Sequence, residues 1–356
     1  MTSMRDPLHI DCDSAQHFTA RLFERNGLEP AKAAAVARSL VRADMMGHDS
    51  HGLALASWYL DALADGQMAS QGAPEVIADR GACFAWNGQR LPGAWLIERA
   101  MEAGVERVRT HGSATCTIAN SFHAGALAAY LEQLTAQGLL AILTCSGPAS
   151  RAVAPFGGTE ALFSPNPLAA GIPTSQAPML MDISCSITTT NRTRQLARQG
   201  RAFPAAWALT REGEPTDDPR QVVDHGGSLL PVGGVDHGHK GYAMALMVEA
   251  LTQGLSGYGR NAAPTGIVTN IYLHILDPEA FGGRAAFLRE TDWMAASCTA
   301  NPPRPGVSAV RVPGQQAQAR LAAARAQGLR IAAGLAAELD KYAARAGVQP
   351  PWSAGG

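Results

Sequence analysis

Residues 95–144 read WLIERAMEAGVERVRTHGSATCTIANSFHAGALAAYLEQLTAQGLLAILT. Apolar residues recur at helical spacing over 95–108, and residues 115–118 read as a strand. The order then repeats, with a helix predicted over 124–134 and a strand over 139–144. Strands alternating with helices imply an α/β sheet covered on both faces. A strand over 76–86 precedes this stretch. Further strands are predicted at 168–172, 179–183, 206–210 and 267–276, with a long apolar helix over 241–255. Upstream lie helices: 14–26 capped by Ser14 and stopped by Gly27, a second from Pro30 to Met46 stopped by Gly47, and a third over 53–63. The Ala-rich sequence 316–346 reads as helical and is expected to return to the N-terminal helices. The expected organisation is a helical part, 1–74 completed by 315–350, and an α/β part, 75–314.

At 356 residues the chain can bury roughly three quarters of the surface that its unfolded form exposes. Charged residues make up 17% and the formal net charge is −1, with no basic run, so neither nucleic acid nor a membrane surface is an expected partner. MTSMRDPLHIDCD turns acidic before any apolar stretch develops. No signal peptide is therefore expected, and the cytoplasm is the expected compartment. Six scattered cysteines without a C-x-x-C read as small core residues with free thiols rather than as a disulfide framework or zinc site.

The G-x-G-x-x-G dinucleotide fingerprint is missing. Its nearest match, Gly257-Tyr258-Gly259, follows a helix rather than a strand and reads as a loop. Histidines say more. Asp49-Ser50-His51-Gly52 sits between two helices, on a loop that can face a cleft. There His51 can protonate an alkoxide formed by hydride attack on a carbonyl, or the loop simply caps a helix. His123 lies between a strand and a helix, placed either for a ligand or as a buried, hydrogen-bonded ring. His48, His237 and His239 have ligand-like spacing, which supports a rival class, a metal-dependent hydrolase. Yet no H-E-x-x-H occurs, and no metal is expected. The run Asp182-Ile183-Ser184-Cys185-Ser186-Ile187-Thr188-Thr189 leaves a strand and offers hydroxyls and backbone N–H groups to a phosphate, or forms an ordinary capped turn. Lys240 can add a point charge.

In order along the chain, Ala43-Asp44, Asp49-Ser50-His51-Gly52, Ser121 to Gly125, Ala154-Pro155-Phe156-Gly157-Gly158, Asn166-Pro167-Leu168, Met181-Asp182-Ile183, Gly238-His239-Lys240-Gly241-Tyr242, Asp277 to Gly283 and Pro313-Gly314 resemble one family. It is the malate/L-lactate dehydrogenase type that lacks a Rossmann domain, with sulfolactate, ureidoglycolate and diketogulonate dehydrogenases and piperideine-carboxylate reductases among its members. The resemblance implies a mixed-sheet α/β/α sandwich with an N-terminal helical part, a homodimer, and oxidoreduction of a small 2-oxo acid or related molecule with NAD or NADP. It implies that His51 is the proton donor and that His123 is at the active site. It assigns cofactor contacts to Ser121, Ile183, Ser184, Cys185, Ser186, Thr188, Thr189, His239, Lys240, Gly314, Gln315 and Gln316, and makes Asp182 a candidate to orient a histidine. A catalytically silent nucleotide-binding relative is the other reading.

Two departures stand out. Where the family has arginine in S-H-G-x-x-R this chain has Leu55, so either the substrate is not a simple 2-oxo acid or Arg192, Arg194 or Arg151, with Ser50 also at the substrate, takes over its charge, and Leu55→Arg is expected to improve turnover of simple 2-oxo acids. The usual glutamate after Pro-Gly is Gln315, which leaves NADP open.

Overall fold

The computed structural model describes residues 8–353. Strand β1 (Leu8–Ile10) leads into α1 (Cys12–Arg25), α2 (Pro30–Met46) and α3 (Ala56–Ala64). The cap of α1 is Asp11 rather than Ser14: the Asp11 carboxylate accepts the Ser14 N–H at 2.8 Å, satisfying a donor that the first turn leaves free. In α2, Pro30 does open the helix and Gly47, at φ +80°, closes it, as the punctuation predicts. A 3-10 turn, Leu53–Leu55, precedes α3.

The single strand expected over 76–86 is a hairpin, β2 (Glu75–Arg80) and β3 (Cys83–Asn87), because Gly81 at φ +72° reverses the chain. Then come α4 (Gly93–His111), β4 (Ser113–Ser121), α5 (Ala128–Thr135), β5 (Leu140–Ser146), β6 (Pro167–Ile172), β7 (Met179–Ser184) and α6 (Thr190–Arg198). The predicted helix 124–134 starts later, at Ala128. Gly125 takes φ +73°, and the Tyr130 hydroxyl donates to the Ala124 carbonyl at 2.6 Å, which keeps the segment after β4 out of the helix. The strand expected at 206–210 shrinks to β8 (Ala208–Leu209), which with β9 (Pro215–Thr216) and β10 (Ser228–Leu229) makes a small sheet around α7 (Arg220–Val223).

Helices α8 (Gly234–His237) and α9 (His239–Glu249) follow, and α9 passes into a π-turn at Ala250–Gly254, so the helix expected over 241–255 begins earlier and loses α geometry at its end. The chain finishes with β11 (Thr269–Leu276), α10 (Arg284–Thr299), α11 (Gln315–Gln327), β12 (Leu329–Ile331) and α12 (Ala333–Ala346). The C-terminal run is two helices, split at Gly328 (φ +80°). Between them β12 pairs antiparallel with β1, while α11 packs on α2, and α12 on α1 and α3.

The main sheet has seven strands in the order β2-β3-β4-β11-β5-β6-β7. Only β3 and β4 run parallel; every other neighbouring pair is antiparallel. It is therefore a mixed sheet: β11 slides between β4 and β5, the two strands that α5 connects. One face of β5 presents Ala141, Leu143 and Cys145 to the core that α2, α4 and α5 share. Out of phase with them, Ser146 bonds Thr252 of the π-turn at 2.6 Å, so helices cover both faces. Cys116, Cys145 and Cys185 are buried, but Cys83 and Cys298 are exposed, so not every thiol is a core residue. Among the described residues no helix is long and apolar enough to cross a membrane.

Candidate active site

The loop after α2 is shaped by Gly52. The Asp44 carboxylate, projecting from the last turn of α2, accepts the Leu53 N–H at 2.9 Å. A Cβ on Gly52 would stand 1.8 Å from Asp44 Oδ1, so any other residue here would displace this carboxylate from its bond to Leu53. Burial pushes the Asp44 carboxyl up to about 7, with Asp49 adding to the rise against the Leu53 bond. His51 is thereby held beneath a tight turn, its own N–H bonded to the His48 carbonyl at 2.7 Å.

His51 Nδ1 lies 2.9 Å from Ser50 Oγ. Its ring lies nearly parallel to that of His123, with centroids 6.0 Å apart and planes inclined by 21°. Tyr59 Oη is 2.6 Å from His123 Nδ1, and the Gly125 N–H points at the same nitrogen at 3.4 Å. Because a backbone N–H only donates, Nδ1 is the acceptor and the proton of neutral His123 belongs on Nε2. Trp58 and Tyr59 pack against His123, and Phe122 against both of them. In this apolar setting desolvation lowers His51 to about 4, with a further contribution from His48, and lowers His123 to about 3, with a contribution from His51. Both rings are neutral near pH 7.

Asp182, the candidate to orient a histidine, lies on β7. Its Oδ2 accepts the Ala128 N–H at 2.9 Å, capping α5. The histidine that acts on it is His48, whereas His51 and His123 bond Ser50 and Tyr59 instead. Burial raises the Asp182 carboxyl, opposed by the Ala128 bond and by His48. The buried His48 Nε2 has no hydrogen-bond partner. His48 and Asp182 line an open cleft of about 480 Å³ together with Ile183, Gly314, Gln316 and Arg320. This unpartnered nitrogen gives the cleft the character of a polar ligand site.

The other expected cofactor segments converge on the same stretch of chain. Gly314, at φ +84°, lies so close to β7 that a Cβ would come 2.8 Å from the Leu180 nitrogen and 2.9 Å from its oxygen. The Cys185 carbonyl accepts the Val232 N–H and the Val232 carbonyl accepts that of Gly241, which lays the start of α9, with exposed His239 and Lys240, against residues 184–189. Within that run Ser184 and Ser186 bond the carbonyls of Ser186 and Thr188, and Thr189 caps α6 by accepting the Arg192 N–H. Gln315 opens α11. Ser121 is buried and donates to the Phe122 carbonyl, which turns its hydroxyl into the backbone. Asn191, unremarked in the sequence, joins the two regions, its Nδ2 donating to the Ser50 carbonyl at 3.2 Å.

The arginines expected to grip a carboxylate lie outside these contacts. Arg192 bonds Gln195 on the surface of α6, Arg194 and Arg151 are exposed, and Leu55 is a core residue only 7% exposed. No cationic site stands vacant at 55; the position is filled by packing. His237 and His239 approach each other with centroids 6.2 Å apart, but among the described residues no three His, Cys, Asp or Glu side chains are grouped to hold a metal. Sequence reasoning missed Tyr59, Trp58 and the His48–Asp182 relation. An aromatic pair about two turns after His51 was the available signal.

Residues 10–340 match the malate/L-lactate dehydrogenase family. The L-lactate dehydrogenase of Cupriavidus necator is 34% identical over 81% of this chain and 84% of its own length. The malate dehydrogenase of Pyrococcus horikoshii is 28% identical over 96% of each. In three dimensions the malate dehydrogenase of Entamoeba histolytica superposes with a TM-score of 0.91, covering 97% of this chain and 99% of that one at 22% identity, a likeness of fold.

Proposed function

The chain belongs to the malate/L-lactate dehydrogenase family, and we propose that it transfers a hydride between NAD(P)H and the carbonyl or imine carbon of a small 2-oxo acid or related substrate, with His51 as the proton donor. The observation that carries the reading is the desolvated His51–His123 pair, tied through Asn191 to the segments expected to hold a dinucleotide. The cleft lined by Ile183, Gly314 and Gln316 suits a polar ligand on account of the unpartnered His48 nitrogen. In this reading residues 183–189, His239, Lys240 and 314–316 hold the cofactor, and residues 75–314 are the cofactor-binding part.

When bound, a nicotinamide supplies or accepts the hydride. In the reducing direction the carbonyl oxygen becomes an alkoxide and takes the proton of the His51 imidazolium, and in the oxidising direction neutral His51 removes the hydroxyl proton. With its pKa near 4 in the free enzyme, His51 is a strong acid when protonated, and a bound anion raises the protonated fraction. The Ser50 hydroxyl, donor and acceptor both, follows the ring through either state. His123, with its Nδ1 engaged by Tyr59, presents Nε2–H as a neutral donor towards the substrate. A homodimer in the cytoplasm is proposed with this activity.

The test is to mix the protein with NADH or NADPH, add pools of 2-oxo acids, diketo acids and cyclic imino acids, and follow loss of the reduced-nicotinamide absorbance. Oxidation of either cofactor supports the reading. Silence in every pool, with cofactor binding shown by fluorescence, refutes it in favour of a silent relative.

A further inference from the structure

The cleft that contains the unpartnered His48 nitrogen is also lined by two arginines, Arg311 and Arg320. Neither forms an ion pair with a carboxylate among the described residues. The Arg320 guanidinium lies on Gly47, which closes α2: a Cβ there would collide with Nη1 and stand 3.0 Å from Cζ. The carbonyl end of a helix attracts a cation without neutralising it as a carboxylate would.

The start of α11 adds to the positive field of the cleft. Gly314 brings no side chain to cap it, and the first turn has no acidic residue. The first bond of this helix joins the Gln318 N–H to the Gly314 carbonyl. The N–H groups of Gln316 and Ala317, residues that both line the cleft, therefore have no acceptor within the helix. Free helix donors beside two unpaired guanidinium groups suit a phosphate. The nicotinamide dinucleotides differ at the adenosine ribose, where NAD has a 2′-hydroxyl that a carboxylate recognises and NADP a 2′-phosphate that an arginine accommodates. Among the described residues the one carboxylate lining the cleft is Asp182, which caps α5 through the Ala128 N–H. The cleft thus has the cations for the phosphate and no carboxylate given over to the hydroxyl. The pyrophosphate, common to both dinucleotides, already has Lys240 and the run 184–189 as its expected partners.

We infer that Arg311 and Arg320 hold the 2′-phosphate of NADP(H) and make this chain prefer it to NAD(H). The inference rests on the proposed dinucleotide site, so its test reads binding apart from turnover. Binding of NADPH and NADH is followed by reduced-nicotinamide fluorescence in wild type, Arg311→Ala, Arg320→Ala, Arg320→Lys and Gln316→Glu. Calorimetry compares adenosine 2′,5′-bisphosphate with 5′-AMP, a pair that differs only in the 2′-phosphate. Wild type should bind NADPH at least ~10-fold more tightly than NADH, with the gap narrowing as salt is raised. Each alanine variant should weaken NADPH at least ~5-fold more than NADH, and Arg320→Lys should recover part of the loss. Gln316→Glu adds a carboxylate where a helix start tolerates one, and should narrow or reverse the preference. Equal affinity for the two dinucleotides, preference for NADH, or equal losses on both in the arginine variants, as expected if the pair held the shared pyrophosphate, overturns the inference. Oxidation of NADH in preference to NADPH by a 2-oxo acid would defeat the inference and keep the reaction. Arginine-dependent binding of NADPH and the bisphosphate without turnover of any acid would defeat the reaction and keep the inference.

Discussion

Replacing Gly52 with alanine tests how the His51 loop is held. The new Cβ would lie 1.8 Å from Asp44 Oδ1, 2.2 Å from Cγ and 2.6 Å from Oδ2, far inside van der Waals contact, so the carboxylate must swing away. The Leu53 N–H, now 2.9 Å from Oδ2, then loses its acceptor. Overpacking costs about 1–3 kcal/mol and an unpaired buried donor about 1–3 kcal/mol, while restricting the unfolded chain returns about 0.4–1 kcal/mol. The expected loss is about 2–5 kcal/mol, read from urea unfolding with Asp44→Ala and the double variant completing a thermodynamic cycle. Asp44→Ala removes the carboxylate and leaves room for the new methyl group, so the double variant should lose at least ~1 kcal/mol less than the two single losses combined. A Gly52→Ala stability within ~0.5 kcal/mol of wild type, or losses that simply add, would refute the reasoning.

Because free His51 titrates near 4, kcat/KM for reduction should rise about tenfold per unit as pH falls from 8 towards 5, and kcat/KM for oxidation of the hydroxy acid should stay flat over that range and drop only as His51 becomes protonated near 4. A reduction profile that levels off near 6.5 would contradict this. Leu55→Arg forces a charge into a packed core position, so thermal unfolding should show a loss of about 3 kcal/mol or more with no gain on simple 2-oxo acids; a stable and more active variant would restore the vacant-site reading. Gly314→Ala meets both a positive φ and the Leu180 backbone. It should weaken NADH or NADPH binding at least fivefold, ~1 kcal/mol, in a fluorescence titration, and unchanged affinity would remove this turn from the cofactor site.

Local punctuation made much of the fold legible. Pro30 and Gly47 bounded α2, and the strand-helix alternation found β4, α5 and β5. It failed where a turn hides inside a β-like run, as at Gly81, and where apolar sequence is pinned outside a helix, as between β4 and α5. The β1–β12 pairing and the insertion of β11 between β4 and β5 are contacts between distant segments, which local periodicity does not encode. The site divides in the same way. The His51 loop and His123 stood out as motifs, but that Asp182 would cap α5 and lie in the field of His48 depends on where β7 lands. Leu55 looked like a vacancy because the sequence does not show that the position is buried.

The proton donor is probed by His51→Gln, assayed with whichever cofactor and acid the wild type turns over and with cofactor affinity measured alongside. The expected kcat is lower by about 10²- to 10⁴-fold, with cofactor affinity and unfolding midpoint near wild type. A folded variant that keeps wild-type kcat would contradict the claim that His51 supplies the proton.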